Sequence, residues 1–195
     1  MKPIIFCDFD GTICHEQYWR SLPPEQHAAL QKLLFGDDTQ IFQEWLRGGH
    51  TAEAVNQYAA NALGLPYEEL WELFVKDCQT MTVSPFTLAK LNDLRDNYTV
   101  ILMTGNMDSF SRFTVPALNL EQYFDAISNS YYEGIHKTDN KGELFLTYTD
   151  RYGADIKKCY LLDDSVKVCD IFFNLGGKAL LVSSDKPVDD YLAEF

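Results

Sequence analysis

Basic residues are scarce in this chain: 16 Lys and Arg stand against 29 Asp and Glu in 195 residues, a formal net charge of −13. That balance repels phosphate backbones and anionic lipid at long range, so the expected partners include neither nucleic acid nor membrane. Uninterrupted apolar runs are missing too, none approaching the roughly 18 residues that a membrane span needs. The five cysteines (Cys7, Cys14, Cys78, Cys159, Cys169) are odd in number and widely spread. They match neither a disulfide frame nor a zinc knuckle and read as reduced thiols. The four histidines, His15, His27, His50 and His136, lack zinc-ligand spacing. Met1-Lys2-Pro3 leads to Asp8 too soon for the apolar region of a targeting peptide; the expected location is therefore cytoplasmic. No internal repeat or low-complexity segment interrupts the chain. What is present is ordinary globular composition, 46% hydrophobic and 23% charged, in a length that fits one domain with an insertion or two small lobes.

Apolar runs of strand length recur with helix-like segments between them, the rhythm of an α/β protein with a parallel sheet. Strands are expected at Ile4 to Phe9, Thr99 to Met103, Ala126 to Ser128, Cys159 to Leu162 and Ala179 to Val182. Helices are expected at Pro85 to Asp96, Ser109 to Leu118, Gly142 to Tyr152 and Val166 to Leu175. Three of the strands end in polar clusters: Asp8-Phe9-Asp10, Thr104-Gly105-Asn106 and Asp163-Asp164-Ser165. Ligands of open parallel sheets bind beyond the carboxyl ends of the strands, so the three clusters are expected to meet in one crevice.

Between His15 and Val83 the rhythm breaks. No strand pattern is present, and helix starts stand at Pro23-Pro24-Glu25, Thr51-Ala52-Glu53 and Pro66-Tyr67-Glu68, with Gly48-Gly49 and Gly64 as stops. The expected organisation is a Rossmann-like α/β core over residues 1–14 and 84–195, with a helical lobe over 15–83 inserted after the first strand. Helices that merely pad the main domain are the alternative.

The most informative stretch is Ile4 to Thr12, an apolar strand that runs into two carboxylates and a glycine turn. Alternation places Asp8 and Asp10 on one side where the strand leaves the core. Like charges so close repel unless a cation, a shared proton or a reaction occupies the space between them. A solvated Asp-Gly turn is the plainer reading of the same residues. The alternatives are as plain elsewhere: turn capping for Thr104, an N-terminal charge pair on a helix for Asp163-Asp164, and loop solvation for Lys137 and Lys141. His15, Tyr18, Trp19, Arg20 and Arg112 read as packing or surface residues, with substrate contact as the second option.

Taken in order, four short motifs resemble those of the haloacid dehalogenase superfamily. They are Asp8-Phe9-Asp10-Gly11-Thr12 after an apolar strand, Ile101-Leu102-Met103-Thr104, Gly134-Ile135-His136-Lys137-Thr138-Asp139, and Leu161-Leu162-Asp163-Asp164. The resemblance spans residues 3 to 182 and departs from the usual pattern at Thr138, where proline commonly follows the lysine.

The resemblance implies a capped phosphatase whose Asp8 attacks phosphorus and whose Asp10 serves as general acid and base. Thr104 would hold the phosphoryl oxygens, helped by backbone N–H groups of Gly105 and Asn106. Lys137, or else Lys141, would be the fixed cation. Mg²⁺ would sit on Asp8, on the Asp10 carbonyl, and on Asp163 and Asp164, with Asp164 the more direct of the pair. The expected substrate is a small phosphorylated metabolite. A phosphoglucomutase-like phosphotransferase and an inactive phosphate-binding regulator use the same residues and stand as alternatives.

Overall fold

The computed structural model describes residues 2–36 and 39–195; Met1, Asp37 and Asp38, at the edges of the expected core and within the expected helical lobe, lie outside it. Five parallel strands form one sheet: β1 (Ile4–Cys7), β2 (Thr99–Thr104), β3 (Ala126–Asn129), β4 (Tyr160–Asp163) and β5 (Lys178–Leu181), in the order β3-β2-β1-β4-β5. This is the expected Rossmann-like α/β architecture. Every residue of β1 is buried, as a central strand covered on both faces requires. Ile5, Cys7, Val100 and Leu102 point to one face, and Ile4, Phe6, Ile101 and Met103 to the other.

Among the described residues ten α-helices surround the sheet. Those between β1 and β2 are α1 (Pro24–Phe35), α2 (Gln40–Trp45), α3 (Ala52–Leu63), α4 (Tyr67–Gln79) and α5 (Pro85–Leu94). The later ones are α6 (Val115–Leu118), α7 (Ser130–Glu133), α8 (Glu143–Tyr152), α9 (Val166–Asn174) and α10 (Val188–Leu192). Helices α8 and α9 cover the Phe6 face, where Phe145 and Phe172 meet the Phe6 ring edge-on at centroid distances of 5.3 and 5.7 Å.

The opposite face is covered by α5, α10 and the inserted helices. Among the described residues between β1 and α5 no strand is found, and α1 to α4 share one continuous apolar cluster with Ile5, Cys7 and Phe110. Trp19 anchors that layer, stacked 4.4 Å from Phe74 and donating from Nε1 to Asn56 at 2.9 Å. Trp45, at the end of α2, donates from Nε1 to Asp108 on the loop after β2, at 2.8 Å. Helix α2 is thus tied to the loop after β2. No helix among the described residues is long and apolar enough to cross a membrane.

Some boundaries differ from the sequence expectation. The first strand stops at Cys7 because the Phe9 carbonyl accepts from Thr12, Ile13 and Cys14, closing a tight turn. The helix expected from Ser109 begins instead as a π turn, Phe110–Thr114, before α6. Pro116 has no N–H to donate to an α-type ladder there. Helix α2 had no start signal of its own, and the short α7 and α10 were not expected.

Candidate active site

Sheet register brings the acids together. Cys7 is paired with Leu162 on one side and with Leu102 on the other, so the residues that follow, Asp8, Asp163 and the end of β2 at Thr104, emerge side by side. The Asp8 N–H extends the ladder by donating to Leu162 O at 2.9 Å. Strand order reverses between β1 and β4, and ligands of such sheets bind at that switch point.

Lys137 enters the crevice from the loop after α7. Its Nζ lies 2.7 Å from Asp8 Oδ2 and 2.6 Å from Asp163 Oδ2, and it is 4% exposed. Burial alone would push the ammonium down, but Asp8 and Asp163 more than reverse that and hold it well above its usual range. Lys141, the alternative lysine, is exposed and sits at φ +58°. The Lys137 loop is braced by Asp139. Its carboxylate accepts from the His136 N–H at 2.8 Å and takes a bidentate pair from Arg47, just past α2, at 2.8 and 2.7 Å. The Thr138 hydroxyl, where the motif usually has proline, lies 2.8 Å from His136 Nδ1.

Asp10 stands within the turn and is partly exposed. Burial first, and then the Asp8 charge, raise its carboxyl from 3.8 to about 7. Its Oδ2 accepts from Asn106 Nδ2 at 2.7 Å, and Asn106 Oδ1 in turn accepts from the Tyr18 hydroxyl and from the Met107 N–H, both at 2.9 Å. The Asn106 backbone N–H, expected to face a phosphoryl group, donates instead to Ser130 Oγ at 3.1 Å. That expectation is corrected: α7 begins beside this loop and its serine consumes the donor. Gly105 does line the crevice. A Cβ there would overlap the His136 ring, so the close approach of that imidazole requires glycine. Burial, Lys137 and Arg47 push His136 down to about 4, leaving it neutral.

The acids fit a divalent cation. Asp8, Asp163 and Asp164 each offer a carboxylate oxygen, all within 4.8 Å of one another, and Asp8 Oδ1 is buried without a hydrogen-bond partner. Asp163 is already engaged, with Oδ1 accepting from Ser165 N–H at 2.9 Å and Oδ2 on Lys137. Burial and Asp8 raise it to about 7. Asp164 is exposed, and a Cβ at Gly11, whose φ is +73°, would overlap its Oδ2. The turn carries no bond from the Asp10 carbonyl among the described residues, which leaves that oxygen for a ligand. All-oxygen donors of this kind suit Mg²⁺.

Two cavities open at this point. One, of about 360 Å³, is lined by Asp8, Thr104, Lys137 and Lys167 among others; the second, of about 400 Å³, lies between the loop after β1 and helices α1 and α2. Asp10, Phe42, Leu46 and Gly105 line both. Thr104 is 2% exposed at the floor of the first. His15 and Tyr18 line the second, whereas Trp19 is core. Arg20 is tied to Asp77 O at 2.7 Å, and Arg112 is bound to Glu53 and Asp108. Tyr18–Asn106–Asp10, His136 on Gly105 and Arg47–Asp139 lie outside the sequence expectation: all three pairings join residues far apart in the chain, and no local pattern signals them.

A parallel sheet with an acidic crevice at its switch point and a buried lysine across from the first strand defines a Rossmann-like α/β protein with a candidate active site at the strand ends. Residues 3–171 match the family described as haloacid dehalogenase-like hydrolase, and the chain belongs to that family. Among solved structures it is similar to the HAD family enzyme bt-2542 of Bacteroides thetaiotaomicron, in a complex with magnesium and inorganic phosphate. That likeness has 17% identity, a TM-score of 0.73, and coverage of 95% of this chain and 96% of that one. A predicted HAD-like family hydrolase from Porphyromonas gingivalis has 18% identity, a TM-score of 0.67 and coverage of 93% and 91%. A 2-haloacid dehalogenase from Pseudomonas syringae pv. Tomato DC3000 has 17% identity, a TM-score of 0.66 and coverage of 100% and 97%. At these identities the likenesses show the fold. No curated protein matches the chain.

Proposed function

We propose that the protein is a Mg²⁺-dependent phosphatase that hydrolyses a small phosphomonoester through an aspartyl-phosphate on Asp8. The observation that carries this reading is the buried, unpartnered Asp8 Oδ1 in a cluster of carboxylates that Lys137 alone does not neutralise. Asp8, Asp164, the Asp10 carbonyl and Asp163 would hold the ion, which supplies positive charge for the phosphoryl oxygens. Helices α1 to α4 act as the cap, over about residues 15–83, and limit the substrate to small molecules.

Asp8 forms its bond to phosphorus as the ester oxygen leaves. Asp10, with its proton available near neutrality, hands that proton to the departing alkoxide. The resulting carboxylate then takes a proton from water, the water oxygen attacks phosphorus, and the Asp8–phosphoryl bond breaks, so Asp10 is again protonated. Lys137 and Thr104 hold the transferring group, Lys137 adding charge where the transition state spreads it.

The same fold serves haloacid dehalogenases, but a halide leaves without needing a proton and gives Asp10 no task as general acid. Phosphate release from a panel of phosphomonoesters should require Mg²⁺, stop in EDTA and vanish in Asp8→Asn, with no halide released from 2-haloacids. Halide release, or phosphate release indifferent to EDTA and to Asp8→Asn, would remove the proposal.

A further inference from the structure

The cavity of about 400 Å³ beside Asp10 differs in chemistry from the one that holds Asp8. The Asp8 cavity is lined by Lys137 and Lys167, whereas among the described residues neither Lys nor Arg lines the second. Asp10 is common to both, while Asp8 and Lys137 line only the first and Cys14, Tyr18 and Phe35 only the second. A group that donates a proton to the ester oxygen has to stand where the phosphoryl group ends and the leaving group begins, and Asp10 stands at that junction.

We propose that the second cavity receives the leaving group and that the substrate is the phosphate ester of an uncharged alcohol with an apolar body. This rests on the phosphatase reading above. Phe35, Phe42, Leu46 and Met107 supply apolar wall, and Gln17 and Gln31 supply neutral polar groups. Among the described lining residues a substrate carboxylate or second phosphate would meet no lysine or arginine; His15, exposed at the rim, is the one basic side chain of that lining. Among the same residues a substrate ammonium fares no better. Glu16 accepts from Thr82 N–H at 2.6 Å and lies 3.9 Å from Arg20, and Asp10 is held by Asn106. Burying an unpaired charge against such walls is costly, whereas burying hydrocarbon is favourable. The volume suits a compact metabolite.

Three phosphonates that share the phosphoryl anchor and differ only beyond it test this: benzylphosphonate, 3-phosphonopropionate and 2-aminoethylphosphonate. They would be titrated by calorimetry into the full-length protein with Mg²⁺. Benzylphosphonate should bind about tenfold more tightly than either charged analogue. Esters of matching charge, benzyl phosphate, phosphoglycolate and phosphoethanolamine, should follow the same order in kcat/KM. Equal or tighter binding of a charged analogue, with Asp8-dependent phosphate release intact, overturns this inference and leaves the phosphatase reading standing. Absence of both phosphonate binding and ester cleavage overturns the phosphatase reading, and this inference with it. Gln17 is exposed, so Gln17→Arg tests placement with little risk to folding. It should narrow the benzyl-to-carboxylate preference several-fold, and an unchanged ratio would place the leaving group elsewhere.

Discussion

A lysine buried between two carboxylates carries the heaviest electrostatic duty of any single residue in this molecule. Lys137 touches Asp8 at 2.7 Å and Asp163 at 2.6 Å. Removing one partner of a buried ionic cluster leaves uncompensated charge, so Lys137→Met should destabilise the metal-free protein by about 3–5 kcal/mol, read by urea unfolding. A loss under about 1 kcal/mol would mean that water screens the site. Asp10 permits a test of sign. Its pKa lies near 7 in the folded chain against 3.8 ordinarily, so the native state holds this proton more tightly than the unfolded one. The associated stability is complete at low pH and is lost as pH rises through 7. Asp10→Asn lacks that loss. In EDTA it should gain stability relative to the natural protein between pH 5 and pH 8; a difference independent of pH would contradict the assignment. His136, held near 4, gains stability as pH rises, but it is common to both proteins and cancels.

Among the elements, the turn after β1 sets the geometry of the acids. Gly11 has φ +73° and lies against Asp164, so Gly11→Ala meets both backbone strain and side-chain overlap. It should cost about 1–2 kcal/mol and raise the Mg²⁺ concentration needed for half-maximal activity; an unchanged Mg²⁺ requirement would place the ion away from Asp164. The strands themselves were legible because each is a short apolar run ending in polar residues, and Asp8, Thr104 and Asp163 could be placed at strand ends for that reason. Their meeting in one crevice was legible too, because parallel strands gather their carboxyl ends. The register that sets the contacts, Cys7 pairing with Leu162 and Leu102, was not, since no local pattern encodes it. The role of Asn106 was misplaced on the same ground: its backbone donor goes to Ser130, across 24 residues of sequence, and its side chain goes to Asp10, 96 residues back. Helix α2, six residues long, escaped notice although its neighbour Arg47 fixes the Lys137 loop.

Across the whole molecule, an excess of acid charge converges on one crevice. Four carboxyl groups, Asp8, Asp10, Asp163 and Asp164, surround a single buried ammonium, so an ion that binds only the native site stabilises the fold by mass action. Helices α1 to α4 share one apolar cluster with residues of the sheet, and Trp45–Asp108 and Arg47–Asp139 tie the region around α2 to the loops after β2 and α7. The central claim is that Asp8 itself carries the phosphoryl group. Acid quenching during turnover of a phosphomonoester, followed by peptide mass mapping, tests it directly. The account predicts a phosphoryl adduct on the peptide bearing Asp8, accumulating further in Asp10→Asn and absent in Asp8→Asn. Phosphate release with no adduct at Asp8, and persisting in Asp8→Asn, would contradict it.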